Sequence, residues 1–180
     1  MRKLFTALTL ALCVSFAAPQ AAAQFSIIPY IGYNTEAGFD EDGDTTGGLL
    51  IGIGGEFKAP FELGNLDLSI RPSAEYVFLP DVGDVSQSAF QISGDVIASF
   101  VGSSSVVPYA GVGITYVTLN LDINGFGAFA DIDDVGLNLL GGAKFVGALG
   151  FGDPFVQGRF TLGGFDSLTI SGGVAIPLGN

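Results

Sequence analysis

From Phe25 onward, apolar and polar residues alternate with a period of two, and no segment offers a convincing amphipathic helix. Such alternation is the mark of strands with unlike faces. The pattern predicts eight strands, near 25–34, 47–58, 66–78, 86–100, 106–121, 134–146, 155–162 and 167–178. The third is the clearest: Leu66, Leu68, Ile70, Pro72, Ala74, Tyr76 and Phe78 take one face, and Asp67, Ser69, Arg71, Ser73 and Glu75 take the other. In the second strand Leu49, Ile51, Ile53 and Phe57 oppose Gly52, Gly54, Glu56 and Lys58. In the fourth, Phe90, Ile92, Val96 and Phe100 oppose Gln91, Ser93 and Asp95. One face is apolar throughout, and the other is small, polar or charged.

These strands exceed the five or six residues common in soluble proteins and suit a tilted path across a bilayer. Composition agrees: mean hydropathy is +0.54, with 48% apolar and only 13% charged residues. Past the first two dozen residues, Gly, Pro or a charge interrupts every apolar run before the ~18 residues that a spanning helix needs. A β-barrel meets lipid without any such run. The expected fold is therefore all-β, an eight-stranded antiparallel up-and-down transmembrane barrel.

The N-terminus reads as a secretory signal peptide: Arg2 and Lys3, the apolar Leu4 to Ala18, then Ala21-Ala22-Ala23. Cleavage after Ala23 divides the chain into a leader, 1–23, and a barrel domain, 24–180. The one cysteine, Cys13, leaves with the leader, so no disulfide is expected. The remaining chain sets Lys58, Arg71, Lys144 and Arg159 against all 18 acids, a net charge of −14. Nucleic acid is excluded as a partner, since its recognition relies on basic patches. Histidine is absent, which removes the commonest general base and metal ligand.

Parity places Lys58, Arg71 and Lys144 on the polar face, with Arg159 joining them if Val156, Phe160 and Leu162 point the other way. Glu56, Asp67, Glu75 and Asp95 fall on that same face. Four charges of each sign make a neutral set, which a closed, desolvated interior requires. These eight are the expected interior network.

The connections alternate in character. The odd ones, 35–46, 79–85, 122–133 and 163–166, carry most of the acids, and the even ones, near 59–65, 101–105 and 147–154, hold only Glu62 and Asp153. In an up-and-down barrel odd and even connections lie at opposite ends, so one rim is acidic. At the quiet rim, Pro29-Tyr30, Pro60-Phe61, Pro108-Tyr109 and Pro154-Phe155 are each expected to open a strand and to supply an aromatic girdle, joined by Phe57, Phe100 and Phe145. Tyr33, Tyr76, Phe78 and Tyr116 would lie near the acidic rim.

Pro29-Tyr30-Ile31-Gly32-Tyr33-Asn34 and Pro108-Tyr109-Ala110-Gly111-Val112-Gly113-Ile114-Thr115-Tyr116 resemble the strand starts of the small eight-stranded outer-membrane barrels, the opacity-protein and OmpA/OmpX-like group. The resemblance covers Phe25 to Asn180 and implies residence in the cell outer membrane, contact with its lipid, and insertion by the barrel-assembly machinery. It also implies both termini in the periplasm, with the acidic connections outside. The final Ile176-Pro177-Leu178-Gly179-Asn180 departs from the aromatic ending usual in that group.

The functional expectation is a structural or surface-interaction barrel with a narrow or plugged lumen, not an enzyme. The alternative is a small porin or a carrier of small apolar molecules, for which inner-face glycines such as Gly52, Gly54, Gly111, Gly113 and Gly142 would leave room. A soluble lipocalin-like barrel with the apolar face inside is the remaining competitor. Asp40, Asp42 and Asp44 alternate like the first ligands of a calcium loop, but Thr45 and Ile51 stand where that loop needs glycine and a bidentate acid. Weak attraction of divalent cations is expected there, and no cofactor.

Overall fold

The computed structural model describes residues 25–39, 45–100, 102, 104–123, 127–163 and 166–178. All regular secondary structure among them is strand: β1 (Phe25–Phe39), β2 (Thr45–Leu63), β3 (Leu66–Phe78), β4 (Val85–Phe100), β5 (Val106–Ile123), β6 (Gly127–Phe145), β7 (Asp153–Leu162) and β8 (Ser167–Leu178). Each pairs antiparallel with its neighbours in the chain, and β8 pairs with β1 to close the barrel. Pairing followed sideways from Phe25 through Phe57, Ile70, Val96, Val112, Leu139, Phe160 and Leu168 returns to β1 beside Thr35, well above its starting point. That stagger tilts the strands and sets the narrow bore of an eight-stranded barrel.

Several strands outrun the lengths that alternation predicts. β1 continues to Phe39 and β2 starts at Thr45; β5 continues to Ile123 and β6 starts at Gly127. Most of the two long connections expected at 35–46 and 122–133 is therefore hairpin. Acidic composition does not end a strand while its partner continues the ladder and its faces are solvated. At the other end β2 runs past Pro60 to Leu63, so Pro60-Phe61 closes a descending strand and opens none. Pro60 falls inside the register irregularity between Lys58 and Glu62, where its missing N–H breaks no regular pair. The turn itself shrinks to Gly64-Asn65, with Gly64 at φ 65.

Side chains follow the pleat. Ile31, Leu49, Ile51, Ile53, Ile70, Val96, Val112, Ile114, Leu139 and Ile170 point outward and are exposed. An apolar band that encircles the molecule far exceeds what a water-soluble monomer tolerates. The lipocalin-like arrangement is thereby overturned, because the apolar face is outside.

The proline–aromatic pairs correct a second expectation. Tyr109 and Phe155 are buried inside and Tyr30 reaches into the lumen, while Pro29 and Pro108 take the exposed outer positions. Since adjacent residues face opposite sides, an outward proline sends its neighbour in. Phe100 and Phe145 remain exposed at the even end, as do Tyr33, Tyr76, Phe78 and Tyr116 toward the odd end.

Inside, two apolar clusters bracket a polar belt. Leu50, Val77, Leu79, Ala89, Val117 and Leu119 pack together toward the odd end. Ile28, Ile97, Tyr109, Leu140, Phe155 and Ala175 pack toward the even end.

Candidate functional site

The polar belt is built by period-two parity from strands on all sides of the bore. Its centre is Arg159 on β7, only 2% exposed, whose guanidinium donates to both oxygens of Glu75 on β3: Nη1 to Oε1 at 2.7 Å and Nη2 to Oε2 at 2.5 Å. The two residues lie on opposite walls, so the pair crosses the lumen. Tyr30 on β1 donates its hydroxyl to Glu75 Oε1 at 2.6 Å, and Gln91 Oε1 on β4 accepts from Arg159 Nη2 at 3.2 Å. Four strands thus meet on one buried ion pair.

A second group lies nearer the even end. Glu56 on β2 accepts from Arg71 Nη2 at 2.5 Å and Nε at 3.2 Å, and its other oxygen accepts from Lys144 Nζ on β6 at 2.7 Å. Arg71 Nη1 donates to Gln157 Oε1 at 2.8 Å, and the Tyr109 hydroxyl donates to the same oxygen at 3.2 Å. The guanidinium carbon sits 5.1 Å from the Tyr109 ring centre and 5.8 Å from that of Phe155, within cation–π range. The aromatics of the proline pairs are therefore part of the packing around this arginine.

Asp95 on β4 accepts from Asn138 Nδ2 at 2.9 Å, and Thr161 Oγ1 donates to Asn138 Oδ1 at 3.1 Å. Among the described residues no cation is ion-paired with Asp95, yet Glu56 holds two cations, so the set of eight stays balanced. Lys58 pairs with Asp67 at 2.5 Å, partly exposed at the even mouth. The eight charges singled out by parity thus comprise three ion-paired groups and Asp95. The uncharged partners Tyr30, Tyr109, Gln157, Asn138 and Thr161 were not singled out for the network. For Tyr30 a signal exists: it is paired across strands with Gly52 on one side and Gly173 on the other.

Inner glycines explain where the large side chains go. A β-carbon at Gly52 would collide with the Tyr30 ring, one at Gly142 with Tyr109, and one at Gly113 with Asp95. The space those glycines release is already filled. Between the two arginines remains a cavity of about 10 Å³ lined by Tyr30, Arg71, Asp95, Phe155 and Arg159, room for about one water molecule. Among the described residues no three His, Cys, Asp or Glu side chains converge as a metal site would require. Asp40, Asp42 and Asp44 lie outside the described residues.

Residues 8–152 match the family model described as outer membrane protein beta-barrel domain. The chain belongs to this family. Family membership places the barrel in the outer membrane. Among solved structures, the crystal structure of neisserial surface protein A is similar to this family member with a TM-score of 0.65 and 14% identity, covering 86% of this chain and 97% of that one. Ail, the attachment invasion locus protein of Yersinia pestis, follows at a TM-score of 0.62 and 13% identity, covering 87% and 99%. The outer membrane enzyme PagL shares a TM-score of 0.50 and 14% identity over 87% and 100%. Identities this low speak for the fold alone. No curated protein matches in sequence.

Proposed function

We propose that the protein is a structural and surface-interaction barrel of the outer membrane, with its lumen sealed by the ion-paired belt and its working surface in the acidic hairpins at the odd end. The observation that carries this reading is the Arg159–Glu75 pair spanning the bore between two apolar clusters. A permeant solute would have to break charge-assisted bonds in a nearly dry interior, which costs several kcal/mol. The crowding around Gly52, Gly113 and Gly142 argues against the channel or carrier alternative, since the glycines accommodate neighbouring side chains. Catalysis forms no part of the proposal: the buried carboxylates of Glu56 and Glu75 are held by cations, and no histidine is present to activate a nucleophile. Two of the similar structures are a neisserial surface protein and an attachment invasion locus protein, which fits an interaction role.

Orientation is the testable part. An epitope tag inserted between Ile123 and Gly127 is expected to bind antibody on intact cells, whereas the same tag in the β6–β7 turn at Gly147 is expected to bind only after permeabilisation. The opposite pattern would put the acidic hairpins in the periplasm and end the surface reading.

A further inference from the structure

The strands do not reach one height at the odd end. β6 pairs with β5 from Gly127 to Phe145, but with β7 only from Leu137 to Lys144. β4 keeps pace with β5, as Val85 stands opposite Ile123. β4, β5 and β6 therefore rise as a wall beside the short β7–β8 hairpin, which ends at Leu162 and resumes at Ser167. Gly163 comes up against the backbone of Val135 and Gly136. Above it, from Ala128 to Asp133, no described strand lies on the side of β6 away from β5. Across the gap β1 is paired with β8 only as far as Asn34. Among the described residues the rim is thus notched over β7–β8, with a bare strand edge along one flank.

A bare edge offers alternate N–H and C=O groups to any extended chain that reaches it. Two features select what can add. The stretch carries Asp131 and Asp133 at alternate positions, with Ile132 exposed between them. Like charges facing one another across strands destabilise a pair, so a second copy of this acidic strand is disfavoured, and the chain's net charge of −12 repels it at longer range. Lysine or arginine at alternate positions would instead pair with the aspartates while the backbone completes the ladder.

We infer that the free edge of β6 at Ala128–Asp133 binds an extended, basic polypeptide segment, which adds to the wall as a further strand. This rests on the surface-interaction reading and gives its partner a chemistry. The test uses the purified protein in detergent micelles and a synthetic ten-residue peptide of alternating lysine and threonine. The peptide should bind and slow amide exchange over 128–133. Methylating its alternate backbone nitrogens, which keeps the charge but blocks the ladder, should weaken binding about tenfold or more. The double variant Asp131→Lys, Asp133→Lys should weaken it similarly, and a peptide with glutamate for lysine should not bind.

Equal binding of the methylated peptide would reduce the contact to charge attraction and overturn strand addition. Absence of binding would overturn it too, as would self-association of the protein through the same amides. The peptide comparisons use the unaltered protein and stand even if the double variant fails to fold. Surface tags in their expected pattern with no peptide binding would sink this inference and leave the surface reading intact; tags in the reversed pattern would sink the surface reading itself.

Discussion

Arg159 is buried to 2% exposure; Glu75 holds it through two parallel hydrogen bonds, Gln91 accepts from its Nη2, and Tyr30 donates to Glu75. Removing one member of such a pair strands the other charge in a dry interior. Arg159→Ala should therefore lower stability by about 3–5 kcal/mol, read as a shift in the urea midpoint of the barrel refolded into lipid vesicles. The triple change Arg159→Met, Glu75→Leu and Tyr30→Phe removes both charges and the hydroxyl that would otherwise lose its acceptor. Its stability should return to near the starting value, because a desolvated pair gains little over well-packed apolar groups. If the triple variant is as weak as the single one, the pair contributes stability of its own. At this scale parity told much: it places Arg71, Glu75 and Asp95 on one face from the residues alone. It could not tell which acid meets which base: Arg71 meets Glu56 on the neighbouring strand through the β2–β3 register, and Arg159 meets Glu75 across the bore only through barrel closure. Parity also turns Tyr109 inward with Gly111 and Gly113, and Phe155 inward with Arg159, but the girdle expectation ran against it, because an aromatic beside a proline is equally at home in lipid.

The strands themselves were legible because lipid outside and a packed bore inside impose a period of two on every one of them. β3, expected at 66–78, runs Leu66–Phe78, and β8, expected at 167–178, runs Ser167–Leu178. The ends of β1, β2, β5 and β6 were less legible. Above the membrane both faces meet water, so the apolar alternation that marks a strand fades while the hydrogen-bond ladder goes on. The β5–β6 hairpin should accordingly be separable from the barrel. Asn120 and Asp131 are a cross-strand pair, so replacing residues 121–130 with Asn-Gly supplies a two-residue turn of the favoured type. The shortened protein should keep its heat-modifiable gel migration and lose the basic-peptide binding. Loss of the folded gel form would mean that the wall is needed to build the barrel.

On the scale of the whole molecule, an outward apolar band suits the barrel to a bilayer, and the inward neutral belt is proposed to close its axis. Among the described residues, the acids outside the belt fall mostly at the odd end, with Glu62 and Asp153 at the even end. The central claim is the closed axis, and single-channel recording in planar bilayers tests it most directly. The unaltered protein should insert without discrete current steps, while a variant emptied across the bore, Arg159→Ala with Glu75→Ala and Tyr30→Ala, should show them. Regular steps from the unaltered protein, at a rate that follows its concentration, would contradict the account and favour a channel.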